Sequence, residues 1–514
     1  MPEYFRSLIV IMLLSVAFFA LAKQPASLII GRTHFTTRRN LWLELTLAAF
    51  LAPNFWVFAF IVAALLIYTN RREDNPPALY FFILFALPVA AIQIPGLGLI
   101  NYFFDLSYAR ILELFILLPA FFILLRKQST LSFGRTGPDK ILAAYFLLVI
   151  ILNFRDTTFT DTLRQLFYLF IDVFLPYFVI SRSLTNLQAF KDALLSMLLP
   201  IMIVALIAVF EAYKHWILYA PLLDELGVQG MTDYLGRAGM LRVVATAGQP
   251  IALGYLMAVG IGIYLFFQKS FQQKSIRRLG MALLVAGLVV PLSRGPWIGA
   301  ALLIIVFIAT GRNSVKGLLS FAVAGILSFA LIAMLPGGEK LINLLPFIGK
   351  EEGTITYRAD LLTSSIPVVE RNLWLGKINY REEPELQHLL AGDRVKIIDI
   401  VNSYLEVVLA QGIIGLWLFV SFFVAVISGV YRAMRSLPDR ESEEYLLGRV
   451  LLATILAILI IIYTVSSITI IPIVYWSFAG LGVAYAQMVR EGKAGRFLRL
   501  ASISASIPPS STAA

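Results

Sequence analysis

The chain has 514 residues, of which 59% are hydrophobic and 14% charged, with a net charge of +11 and a mean hydropathy of +0.83. Soluble domains carry roughly 25% charged residues; the deficit here recurs along the whole length, which excludes a single large soluble core and calls for many membrane spans. No cysteine is present, so disulfides, thiolate catalysis and Cys-based metal centres are excluded, and His34, His215 and His388 have no metal-ligand spacing.

A spanning helix needs about 20 apolar residues. Arg6 precedes the apolar run 7–20, and Ala20-Leu21-Ala22 fits a cleavage pattern, yet in so apolar a chain an uncleaved first helix is the simpler reading. Further runs lie near 41–67, 78–96, 108–126, 140–154, 163–181, 192–213, 249–268, 279–292, 296–311, 317–335, 402–430, 448–463 and 466–488, about fourteen spans in all. The run 41–67 is broken by Pro53-Asn54 and reads as one tilted helix or a short hairpin. The expected organisation is N-terminal spans over 1–335, a large outer loop over 336–401, C-terminal spans over 402–488 and a cytoplasmic tail over 489–514, with 502–514 disordered.

Loop charge sets the orientation, because Lys and Arg accumulate on the cytoplasmic side. Arg126, Lys127, Arg135 and Lys140 share one loop; Arg182 and Lys191 flank the next; Lys269, Lys274, Arg277 and Arg278 form a third. Arg312 with Lys316, and Arg432 with Arg435 and Arg440, follow in correct alternation. The basic balance is therefore a topology signal, and nucleic acid is not expected as a partner. The loops 97–107, 155–162, 214–248, 293–295 and 336–401 then face the exterior. Arg32, Arg38 and Arg39 favour the hairpin reading of 41–67, and the first 75 residues have no firm assignment. The loop 336–401 mixes Glu339, Glu351, Glu352, Glu382, Glu383 and Glu385 with Lys340, Arg358, Arg371, Arg381 and Lys396, which suits a folded, function-bearing loop.

Four outward stretches carry candidate chemistry. In Leu292-Ser293-Arg294-Gly295-Pro296, an arginine sits beside hydrocarbon against the charge rule, where a guanidinium needs an anionic partner such as a phosphate. Tyr357-Arg358-Ala359-Asp360 opens an amphipathic helix that closes before Gly376. Asn402-Ser403-Tyr404-Leu405-Glu406 leads into Gly412-Ile413-Ile414-Gly415, with Asn402 and Glu406 on one helix face. The stretch 237–250 adds Arg237, Arg242 and Gln249. Together these place several arginines on one outer surface, where a diphosphate would fit. Asp172 and Glu113, within apolar runs, are the residues on which a lipid-glycan transporter would depend.

The order Ser-Arg-Gly between two spans, then a large outer loop with an Arg-led helix, then Asn-Ser-Tyr-Leu and Gly-x-x-Gly, resembles the O-antigen ligase/polymerase superfamily. Many members carry His-Asn (or Ser, Gln), nine residues and Gly-x-x-Gly; here Asn402 is followed by 403–411, Gly412 and Gly415. Arg242 with Ala247-Gly248-Gln249-Pro250 resembles the family's earlier outer segment, and the likeness spans roughly 235–430. Val401 stands where the ligases carry histidine, which favours a polymerase over a ligase that transfers polymer to a lipid or protein acceptor.

The resemblance implies an all-α, GT-C-like transmembrane bundle with a large helical periplasmic loop, in a bacterial inner membrane. It implies an inverting, metal-independent glycosyltransferase without cofactor; the outward loops hold no Asp-x-Asp pair. Its donor would be an undecaprenyl-diphosphate-linked glycan and its acceptor another glycan. Membrane lipids, a flippase and a chain-length regulator are the expected partners. The expected catalytic residues are Arg294, Arg358, Asp399, Asn402 and Glu406. Arg242, Gln249, Ser293, Tyr404 and His388 are expected to bind substrate, with His388 a candidate substitute for the missing histidine.

Overall fold

In hydrocarbon every backbone donor and acceptor must be satisfied within the segment, so long apolar runs become helices. The computed structural model describes all residues except 89, 99–100, 229–233, 238, 272, 335–351, 391–397, 469 and 506–514; side-chain surroundings are also not described at 328, 332, 352–355 and 493–505. Glu339, Lys340, Glu351, Lys396 and most of the expected disordered tail lie outside the described residues.

The chain forms α1 (Glu3–Ile30), α2 (Arg32–Leu51), α3 (Phe55–Asn70) and α4 (Pro76–Leu84), then a hairpin of β1 (Ala91–Pro95) and β2 (Tyr102–Ser107). Next come α5 (Tyr108–Arg126), α6 (Gly137–Asp156), α7 (Phe159–Ser183), α8 (Leu187–Lys214) and the short α9 (Ala220–Glu225). A two-residue hairpin of β3 (Gly236–Arg237) and β4 (Met240–Leu241) precedes α10 (Pro250–Phe267), α11 (Lys274–Val289), α12 (Arg294–Ala309) and α13 (Ser314–Met334). The outer loop contributes α14 (Glu352–Arg371) and α15 (Pro384–Gln387), and α16 (Ser403–Arg435), α17 (Glu443–Ile462) and α18 (Ile471–Ala505) finish the bundle. The protein is an all-α polytopic bundle. Among the described residues nine helices are long and apolar enough to cross a membrane, and the shorter α3 and α12 are also apolar. In α8 and α10, 83% and 89% of the apolar window is buried, so these two form the centre of the bundle.

One expected span is corrected. The run 78–96 is a helix only over Pro76–Leu84, and its end is a β-strand in register Ile92↔Leu106 and Gln93↔Asp105. Residues 78–87 are almost completely buried, so their hydropathy reflects enclosure by neighbouring helices rather than a full crossing. Pro88 disfavours helix at Leu87, and the helix has already ended at Leu84, a few residues before it. The run 41–67 takes the hairpin form, with helices on either side of Ala52-Pro53-Asn54 and the Asn54 carboxamide capping α3.

Ion pairs and hydrogen bonds define the two ends of the bundle. Arg38, fully buried, bonds Glu73 at 2.7 Å and Asp192 at 2.5 Å, and Lys191 bonds Glu443 at 2.7 Å. This end also carries the Arg/Lys-rich loops. Gln188 reaches Ile29 O at 2.6 Å while Trp216 reaches Glu3 at 2.9 Å, so α1 runs antiparallel to α8 and the first 75 residues acquire a definite place. At the opposite end Arg155 donates to Gly376 O at 2.6 Å, and the Asp156 carboxylate accepts from Ile378 N at 2.9 Å, fastening the outer loop to α6. The outer segment has its own small core of Leu361, Val368, Tyr380, Leu386, Ile398, Ile400 and Leu409.

Gly412 breaks α16 with φ 66° and ψ −169°, a backbone region open essentially to glycine alone. The break lets Ile413 N and Ile414 N bond Leu373 O and Trp374 O at 2.9 and 3.3 Å, stitching the outer loop into the spanning helix. A Cβ at Gly412 would collide with the Trp374 backbone. Gly412→Ala is therefore expected to lower stability by roughly 1–3 kcal/mol from backbone strain alone, with the clash adding to it. Thermal unfolding in detergent reads this; a wild-type midpoint would contradict it.

Candidate functional site

The site begins at a strained turn. Pro291 cannot donate and Leu292 adopts φ 53°, a left-handed conformation costly for a branched side chain. The turn presents two carbonyls to the β3–β4 hairpin. Arg237 Nη1 donates to Leu292 O at 2.6 Å, and Arg242 Nε reaches Pro291 O at 3.4 Å. Arg242 Nη2 also reaches Ser293 Oγ at 3.3 Å, and that buried hydroxyl donates to Pro291 O at 3.2 Å. The segment carrying Arg242 is held by buried Glu211 of α8, whose carboxylate accepts from Leu218 N at 2.9 Å, Val244 N at 3.3 Å and Ala245 N at 3.0 Å. Gln249 stands at the N-terminal boundary of α10, half-buried, just before Pro250.

Arg294 is the first residue of α12. The next residue, Gly295, lies so close to Thr464 that a Cβ there would strike its hydroxyl. Arg358 of α14 donates to the carbonyl of the same Thr464 at 3.0 Å. The Ser-Arg-Gly turn and the outer-loop helix therefore meet at Thr464, just past the end of α17. Arg358 counts as exposed by surface area, yet protein atoms crowd its guanidinium. That desolvation, with the nearby Arg237 and Arg294 cations, holds its pKa below the ordinary arginine value, against the pull of Asp399.

Asp399 belongs to this group. Its carboxylate accepts from Ser466 Oγ, and its carbonyl accepts from Tyr357 OH at 3.0 Å. Glu406 lies one layer further in, accepting from Arg381 at 3.1 Å, Tyr380 OH at 3.5 Å and Ser467 N at 3.4 Å. It ties the 380–381 turn to the 463–470 segment. Asn402 is the N-cap of α16, its Oδ1 accepting from Tyr404 N at 3.0 Å and Leu405 N at 3.3 Å. Ser403 bonds Val465 O through both its amide, at 3.0 Å, and its hydroxyl, at 2.7 Å. Tyr404 OH is directed to Leu459 O of α17 at 3.0 Å.

The structure thus gathers Arg294, Arg358 and Asp399 directly, brings in Arg242 through Ser293, and places Asn402 and Glu406 as supports for the backbone around them. It does not bring His388 to this group. His388 is exposed and its Nε2 lies 3.3 Å from Ser364 Oγ, nearly two turns along α14 from Arg358. The substitution of His388 for the missing histidine is not what the fold arranges. Asp172 and Glu113 both lie in π-helical turns; Asp172 pairs with Arg110 at 2.7 Å and Glu113 accepts from Tyr80 OH at 3.0 Å.

Sequence reasoning passed over three contributors. Arg237 drew notice only as part of an outward stretch. Arg381 gave no motif signal. The segment with Thr464, Ser466 and Ser467 was hidden between two apolar runs, and its only cue was three hydroxyl residues where a tight turn would suffice. Replacing Asn402 by Ala is expected to cost about 1 kcal/mol through loss of the cap, and Asn402→Ser to restore most of it. Thermal unfolding of the pair checks this; equal midpoints for wild type and Asn402→Ala would refute the capping role.

Comparison with known proteins bears on the same segments. Residues 279–420 match the family model described as O-Antigen ligase. No curated protein matches the chain. The matched stretch takes in Ser293, Arg294, Arg358, Asp399, Asn402 and Glu406, and leaves out Arg237 and Arg242.

Proposed function

We propose that the chain, whose residues 279–420 match the O-antigen ligase family model, is a membrane glycosyltransferase of the O-antigen ligase/polymerase superfamily that joins glycan repeat units carried on undecaprenyl diphosphate, as a polysaccharide polymerase. Val401 in place of the ligase histidine favours polymerase over ligase. The basic loops favour a cytoplasmic location for their end of the bundle, which turns the arginine site to the exterior of a bacterial plasma membrane. A flippase delivering donor to that face and a chain-length regulator are the partners this reading calls for.

The observation that carries the reading is the convergence of Arg237, Arg294 and Arg358 within electrostatic reach of one another beside Thr464, with Arg242 linked through Ser293. In glycosyl transfer the acceptor oxygen forms a bond to the anomeric carbon while the bond from that carbon to the diphosphate oxygen breaks. The diphosphate leaves with the electron pair, and charge grows on its oxygens. Guanidiniums fixed in advance around that charge stabilise the transition state more than the ground state. They fill the role that a divalent metal plays elsewhere. Asp399, beside Arg358 and held by Ser466, is placed to accept the proton of the acceptor hydroxyl. Direct attack inverts the anomeric centre. Ser293 orients Arg242, and Asn402, Tyr404 and Glu406 keep the surrounding backbone in place.

Arg294→Ala and Arg358→Ala are each expected to reduce transfer by about 10²–10³-fold, with the lysine variants retaining part of it because the charge survives and the planar fork does not. Glycan profiles of cells carrying each variant in a deletion background give the readout. Single repeat units left on carrier or core indicate a polymerase; full-length polymer left on its carrier indicates a ligase. Normal polymer from both alanine variants would overturn the proposal.

A further inference from the structure

Beyond the arginine group, a half-open cavity of about 770 Å³ is bounded by β1, β2, α5, α7 and residues Ser467, Pro472 and Ile473. It lies outside the stretch matched by the family model. Its volume falls in the range of small-molecule sites, roughly 300–1,000 Å³. Its polar lining consists of Gln93, Asp105, Ser107, Arg110, Asp172 and Ser467, set among small apolar residues.

Four of these polar groups bond to one another or to the neighbouring backbone. Arg110 donates Nε and Nη2 to the two Asp172 oxygens at 2.9 and 2.7 Å, and Nη1 to Asp105 O at 2.5 Å. Its guanidinium lies 3.8 Å over the Tyr168 ring, and Tyr168 OH donates to Asp105 Oδ2 at 3.1 Å. Ser107 Oγ caps the first turn of α5 by accepting from Arg110 N at 3.3 Å. Because Asp172 neutralises Arg110, the cavity is a poor place for a diphosphate. It offers instead fixed carboxylate oxygens, a carboxamide and hydroxyls, the donors and acceptors that match neighbouring sugar hydroxyls.

The position of the cavity adds the second argument. Ser467 lines it, while Ser466 holds Asp399 and Thr464 receives Arg358. Ser467 is three positions along the chain from Thr464, so their Cα atoms are at most about 11 Å apart. Asp399, the proposed proton acceptor, is bonded to the residue next to one that lines the cavity. We infer that this cavity is the binding site for the acceptor saccharide, receiving the terminal sugars of the growing glycan while the arginines hold the donor's diphosphate. This inference rests on the glycosyltransferase reading above.

The test uses the full chain in phospholipid nanodiscs with two probes: undecaprenyl diphosphate, and a lipid-free oligosaccharide released by mild acid from the host cell's own surface polymer. Gln93→Leu, at an exposed strand position, and Asp105→Asn are each expected to weaken oligosaccharide binding tenfold or more and to leave undecaprenyl diphosphate binding within twofold. Arg294→Ala is expected to do the reverse. Oligosaccharide binding that is absent from wild type, or unchanged in both cavity variants, overturns the inference. Failure of wild type to bind undecaprenyl diphosphate instead sinks the donor reading, and the oligosaccharide arm still decides the cavity.

Discussion

Like charges crowded at one end of the bundle impose the constraint around which this end of the molecule is built. Burial of the Arg358 guanidinium, and next the nearby Arg237 and Arg294 cations, lower its basicity against the pull of Asp399. A desolvated cation is expensive, and the fold offsets part of the cost with backbone dipoles. Leu292 O, Pro291 O and Thr464 O each accept from one of the guanidiniums around the site. These carbonyls fix the direction of each guanidinium they meet, which is what a group that is to stabilise a departing diphosphate requires.

Keeping those carbonyls in place accounts for several departures from regular structure. Leu292 is left-handed, Ala245 has φ 43° beside the carboxylate of Glu211, and Gly412 interrupts a spanning helix. Each lies where one segment is fastened to another: the 291–293 turn to the β3–β4 hairpin, the 242–245 segment to α8, and the end of the outer loop to α16. The strain sits around the site and not in the apolar centre formed by α8 and α10, as expected where geometry serves chemistry rather than packing.

Much of this was legible in the sequence because hydropathy and charge act locally. The long apolar runs became helices, Pro53-Asn54 divided one of them, and the Ser-Arg-Gly turn and Arg358 came to one end as loop alternation required. The exceptions share a cause. The run 78–96 looked like a span because burial inside a bundle and exposure to lipid select the same residues, and Pro88 was too small a signal against them. Asn402 and Tyr404 carried a motif, yet their oxygens serve the start of α16 and the carbonyl of Leu459; a motif conveys spacing, not the direction of a side chain. Thr464, Ser466 and Ser467 act through contacts with residues more than 60 positions away, such as Ser403 and Asp399, and no local pattern announces such partners.

The most direct measurement is an experimental structure of the chain in nanodiscs with undecaprenyl diphosphate bound. The account predicts both phosphorus atoms beside the Ser-Arg-Gly turn, with phosphate oxygens within hydrogen-bonding distance of Arg294 and Arg358. Diphosphate density at the basic end of the bundle, or at this end but away from Thr464, would contradict it.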